Sequence, residues 1–209
     1  MNTRQQGFTL LEILIVISLL GVLLVLVGGA LLGANRAVLK AQRYTLSLDE
    51  IRAAQQFLRT SISEALPLDV TEDDSQTDGF FVGSAQRMQF VATLPGVLGG
   101  GIQRFTLQLT GDQAQRDLQV AFARFESPAQ VSVPASRGEP QVLLSDVEDL
   151  QLSYRGLSPK GQPTGWLSDW PWSRRLPQTV RIAARVNGPV PWVTQVIALR
   201  LNLSSGAAE

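Results

Sequence analysis

The sequence predicts an α+β protein in which one long N-terminal helix, its first half membrane-spanning, packs on antiparallel β-sheets. Three observations carry that expectation. An uncharged apolar run follows Glu12, an amphipathic stripe extends it as far as Leu66, and from Gly79 onward apolar residues recur at every second position.

The first element begins at Gly7-Phe8-Thr9-Leu10-Leu11-Glu12 and continues from Ile13 to Leu32 with no charge and a single hydroxyl, Ser18. About twenty such residues, rising 1.5 Å each, are enough to cross the hydrocarbon core of a bilayer. Glu12 breaks the pattern. A carboxylate at the head of a membrane helix costs roughly 2.5 to 3.5 kcal/mol on insertion scales unless it finds a partner. It either reaches back to the head groups, as long side chains do near helix ends, or is neutralised by a cation on another chain. Flanking charge does not agree with export: Arg4 alone precedes the span, whereas Arg36, Lys40 and Arg43 follow it. An ordinary secretory signal cut near Gly28-Gly29-Ala30 is the competing reading, although the apolar run is longer than such signals require.

The helix is expected to continue from Asn35 to Leu66. Ala41, Tyr44, Leu48, Ile51, Ala54, Leu58, Ile62 and Ala65 step by threes and fours, with Arg43, Asp49, Arg52, Gln56, Arg59 and Ser63 on the other faces. Pro67 ends it, since proline lacks a donor and disfavours helical geometry in the residue before it. Joined to the span, this makes about sixty residues and roughly 90 Å, with Gly28, Gly29 and Gly33 as its weakest turns. The stripe itself reads as a packing face for the domain that follows.

The acidic stretch Thr71 to Gly79 comes near the pattern of a calcium loop. Asp74, Gln76, Asp78 and Gly79 approach the required spacing, but Ala85 stands where a bidentate glutamate is needed, so a solvated loop is expected and no metal. Strands come next. Met88, Phe90 and Ala92 alternate with other residues, as do Phe105, Leu107 and Leu109, then Leu118, Val120 and Phe122, then Leu150, Leu152 and Tyr154. Val180, Ile182, Ala184 and Val186 form a longer series, and so do Ile197, Leu199, Leu201 and Leu203. Alternation of this kind implies sheets with one buried face, and Leu94-Pro95-Gly96, Gly99-Gly100-Gly101, Thr110-Gly111-Asp112 and Asn187-Gly188-Pro189 are turn signals that favour antiparallel pairing. The glycine run Gly96 to Gly101 lacks the lysine and following helix of a phosphate cradle and reads as a hairpin loop.

Composition narrows the chemistry. The 209 residues leave room for one ordinary domain behind one membrane helix. Basic and acidic residues balance at 18 each, so the totals favour neither nucleic acid nor an anionic surface as partner. There is no cysteine and no histidine, which removes disulfides, Cys-His and Ser-His-Asp catalysis and ordinary zinc sites. Carboxylate pairs such as Asp146 with Glu148 remain, and they read as solvated turn residues at a strand edge. No catalytic residue and no cofactor is expected. Aromatics concentrate instead in Trp166-Leu167-Ser168-Asp169-Trp170-Pro171-Trp172-Ser173-Arg174-Arg175. Tryptophan and arginine are enriched at interface hot spots, so Trp166, Trp170 and Trp172 are candidates for partner contact, one or two of them serving as core cover.

The N-terminal motif, Gly7-Phe8-Thr9-Leu10-Leu11-Glu12 after a leader containing Arg4, resembles the class III signal of type IV pilins and of type II secretion pseudopilins. The resemblance implies a pilin-like fold, cleavage by a prepilin peptidase between Gly7 and Phe8, and N-methylation of Phe8. A protonated N-terminal amine on one subunit would then neutralise Glu12 of a neighbour in a helix bundle. A more diffuse likeness runs through Gln141 to Arg155, Gly165-Trp166 and Leu176 to Ile182, and is similar to the J-type minor pseudopilins. It implies a subunit at the tip of a periplasmic pseudopilus that primes assembly and supports export across the outer membrane. The implied partners are the I-type and K-type minor pseudopilins, other pseudopilins, the prepilin peptidase, the inner-membrane assembly platform and secreted substrates. The implied layout is a leader at 1–7, a membrane helix at 8–32, a soluble helical half at 33–66, a periplasmic β-rich domain at 67–203 and a disordered tail at 204–209. A minor pilin of a type IV or DNA-uptake pilus is the alternative, and would more naturally carry a C-terminal disulfide or a basic stripe.

Overall fold

The computed structural model describes residues 9–70, 79–94, 96, 100–112, 116–125 and 139–201. Gly7, Phe8, the acidic stretch at 71–78 and the tail at 204–209 lie outside the described residues. The chain divides into two compact units between Leu46 and Ser47. Helix α1, Leu10–Ser63, begins in the first and ends in the second.

In the first unit α1 is apolar and exposed throughout its span, with no burial in its most apolar window. Ala41 and Tyr44, the first two positions of the stripe, are also exposed. In the second unit the stripe is buried as its spacing requires. Leu48 packs at the margin of the core, and Ile51, Ala54, Leu58 and Ile62 lie inside it. The helix stops three residues before the expected Leu66. The cause is the extended geometry imposed ahead of Pro67: Leu66 donates its N–H to Val91 O at 2.7 Å and joins a strand instead.

Among the described residues eight strands follow: β1 Phe81–Gly83, β2 Arg87–Leu94, β3 Gly101–Gly111, β4 Arg116–Arg124, β5 Gln141–Leu144, β6 Val147–Arg155, β7 Thr179–Val186 and β8 Gln195–Ala198. They form a five-stranded sheet in the order β1-β2-β3-β4-β5 and a three-stranded sheet in the order β6-β7-β8, antiparallel throughout. Leu94 pairs with Gly101, so the glycine run is the connection between β2 and β3. The expected alternation is met in β2, β3, β4, β6 and β7. The last series is not: β8 ends at Ala198, Leu199 is still buried and Leu201 is exposed. Pairing with β7 persists for one bond more, Leu199 N–H to Gln178 O at 3.0 Å, and Arg200 N–H, which faces away from β7, is held by Ser63 O at 2.9 Å.

Aromatic rings fill the core between α1 and the larger sheet. Phe81, Phe90 and Phe105 are stacked in series at 6.4 and 5.2 Å, Phe122 meets Phe105 edge-on at 5.1 Å, and Phe57 of α1 leans on Phe105 and Phe122. Tyr154 of β6 joins the two sheets. Its fully buried ring stands edge-on to Phe81 at 5.5 Å, and its hydroxyl donates to Ser84 O at 2.9 Å. Burial, reinforced by the Asp169 carboxylate, pushes this phenol well above the usual tyrosine range. The close approach needs a glycine in β1, because a Cβ at Gly83 would lie 2.5 Å from the ring carbon Cζ of Tyr154.

Candidate functional site

Thr9 starts the helix. Its carbonyl accepts from Glu12 N–H at 3.1 Å and its hydroxyl from the same N–H at 3.3 Å, the N-cap half of a Thr-x-x-Glu capping box. Glu12 therefore sits in the first turn of α1, where a carboxylate complements the positive end of the helix dipole. No cation stands near it among the described residues, and its side chain is exposed. Ser18, the one hydroxyl in the span, donates to Ile15 O at 2.8 Å and leaves the helix surface apolar.

Among the described residues nothing covers that surface. Leu10, Leu19, Val25 and Leu32 are 84%, 64%, 75% and 62% exposed, values that in water would describe an aggregating helix rather than a stable one. Length and hydropathy fit a membrane span. Among the described residues a side chain at Gly21, Gly28, Gly29 or Gly33 would meet nothing within 4 Å.

The tryptophan loop divides into three roles. Trp170 is core: 5% of it is exposed, its indole N–H donates to Arg175 O at 2.7 Å, and its backbone N–H donates to Gly83 O. Trp172 is half-buried and meets Trp170 edge-on at 5.0 Å. Trp166 lies on the outer face of the smaller sheet, with the Arg181 guanidinium 4.6 Å above its ring. Arg181 Nε also donates to Ser153 Oγ at 2.9 Å, which accounts for a buried hydroxyl on that face. Only Trp166 presents a large exposed ring, so the structure does not gather the three tryptophans into one surface.

Asp146 and Glu148 are both exposed. Asp146 holds a positive φ of 54° in the turn between β5 and β6, where its carbonyl accepts from Asn187 N–H and its N–H donates to Asp117 Oδ1. These are turn contacts. Among the described residues no cluster of three metal-ligating side chains occurs. Sequence reasoning passed over Trp192, which is 8% exposed and donates its indole N–H to Ile182 O at 3.2 Å. Its place after Pro189 and Pro191, between two strands, was the available signal. The short edge strands β1 and β5 were missed as well, because three or four residues are too few to show a period.

Two family models match the chain. The one described as type II secretion system (T2SS), protein J covers residues 33–199, and the one described as the prokaryotic N-terminal methylation motif covers residues 2–28. A relative from Xanthomonas campestris pv. campestris, described as type II secretion system protein J, is 36% identical over 214 residues, covering 99% of each chain.

Proposed function

The chain belongs to the type II secretion system protein J family, and from that premise we propose how its helix and its domain divide the work. It is a minor pseudopilin of the type II secretion system, anchored by the apolar part of α1. In our reading the leader is removed by prepilin peptidase between Gly7 and Phe8, and Phe8 becomes the methylated N-terminus. The anchor then lies in the inner membrane with the β-rich domain in the periplasm, and the assembly platform receives it there.

The observation that carries the mechanism is the isolation of Glu12 at the head of an exposed apolar helix. A monomer in a bilayer bears the cost of that carboxylate alone. Packed beside a neighbour, the helix exchanges lipid for side chains, and Glu12 meets the neighbour's N-terminal amine, turning two costly charges into one pair. The pair exists only in the assembled state, so it favours assembly and fixes the stagger of adjacent helices. The gaps at Gly29 and Gly33 are spaced for close helix approach in such a bundle.

The domain caps this bundle at the tip of the pseudopilus beside the I-type and K-type minor pseudopilins, primes assembly of the remaining subunits, and faces secreted substrates. Catalysis has no part in the proposal. Glu12→Leu tests the mechanism: the variant should be inserted and processed normally, while its recovery with other pseudopilins falls about tenfold, the effect expected for roughly 1.4 kcal/mol. Unchanged recovery and unchanged secretion would exclude the charge pair.

A further inference from the structure

The smaller sheet is closed on one side and open on the other. On the β6 side, Leu152 N–H donates to Ala85 O at 2.8 Å, and Tyr154 exchanges both backbone bonds with Leu167 at 2.8 and 2.9 Å. On the β8 side, Leu199 N–H donates to Gln178 O, and the register Val180 to Ile197 and Ile182 to Gln195 continues the same hydrogen-bonded series. Val196 and Ala198 therefore turn their N–H and C=O away from β7, and among the described residues nothing meets them. The strand is short, but Gln195-Val196-Ile197-Ala198 holds neither a charged residue nor a proline to block pairing. Val193 and Val196 are 67% and 51% exposed beside it.

We propose that the open edge of β8 is a docking site for a short extended segment of a neighbouring pseudopilin, added as a fourth strand; this rests on the pseudopilin reading above. The occupant follows from the chemistry of the edge. Donors and acceptors recurring at every second residue are matched by an extended backbone and by little else. The site is short, because Val193 O is taken by Gln55 Nε2 at one end and Arg200 N–H by Ser63 O at the other. Those same two contacts show that β8 runs in the direction of the last turns of α1. A symmetric β8-to-β8 pairing of two copies would run their Ser47–Ser63 segments in opposite directions. Copies repeated along one filament axis keep their domains in one direction, which excludes that pairing, so the strand comes from a different subunit.

The test uses the full-length chain, alone in detergent and assembled with the other pseudopilins of its host. Amide exchange at Val196 and Ala198 should slow at least about tenfold on assembly, while Ile197 and Leu199, already paired with β7, change little. A photo-crosslinker at Thr194 should capture a peptide of another pseudopilin. Val196→Pro, which removes an outward N–H without touching the bonds to β7, should lower recovery of the complex about tenfold, and Val196→Thr should retain it. Assembly with the Val196 and Ala198 amides still unprotected overturns the docking site and leaves the pseudopilin reading intact. So does a crosslink to residues 202–209 of the same chain, or to a second copy. Failure of the unaltered chain to assemble with any pseudopilin overturns both. The exchange measurement needs no substitution, so it decides the matter even where the proline variant misfolds.

Discussion

Two residues, Glu12 and Tyr154, state the physics of the two units. Glu12 was legible in the sequence because it is the one charge in an apolar run, and at the third residue of α1 its carboxylate has the positive end of the helix dipole beside it but no cation of its own chain among the described residues. Tyr154 was legible only as an apolar position of a strand. That it links two sheets through Ser84 O depends on Gly83, a residue 71 positions earlier in a strand too short to recognise, and no local pattern encodes such a contact. Tyr154→Phe should lower the stability of the domain by about 1 kcal/mol, since Ser84 O loses its donor. The pH dependence has a definite sign. A phenol held protonated by burial adds stability that is fully present below the unfolded tyrosine value of 10.0 and is lost as pH rises above it. Alkaline unfolding monitored by tryptophan fluorescence should therefore steepen above pH 10 in the wild type, and Tyr154→Phe should remove that steepening.

Elements were read from their periods, and the period failed where tertiary contacts took over. The stripe of α1 gave its buried face from Ile51 to Ile62 correctly, yet the helix ends at Ser63 because Leu66 pairs with Val91. Alternation continues through Leu203 in the sequence, but β8 stops at Ala198, and two residues later Ser63 O at the end of α1 holds Arg200 N–H. The tryptophan loop shows a further limit. Composition could not say which of the three rings is core cover; Trp170 is core, Trp172 is half-buried and Trp166 stacks under Arg181, distinctions set by strands on either side. Leu58→Ala tests the helix as an element. Leu58 is 2% exposed, so the substitution should cost about 2 to 5 kcal/mol of domain stability in denaturant titration. Membrane fractionation should be unchanged, because the apolar span lies wholly before Leu46.

The whole molecule joins a membrane-anchored helix to a cysteine-free domain that rests on its hydrophobic core. The flanking charges point against the exported domain proposed above, and the proposal follows the leader motif because that motif specifies a processing event rather than a bias. Gly7→Ala should block that event, so that full-length precursor accumulates on immunoblots of host membranes. The most direct test of the account is the N-terminal sequence and intact mass of the protein purified from its own host. A chain beginning at Phe8 and carrying one N-methyl group is the predicted result. A chain beginning near Leu31, cut as an ordinary secretory protein, would remove Glu12 from the mature molecule and contradict the account.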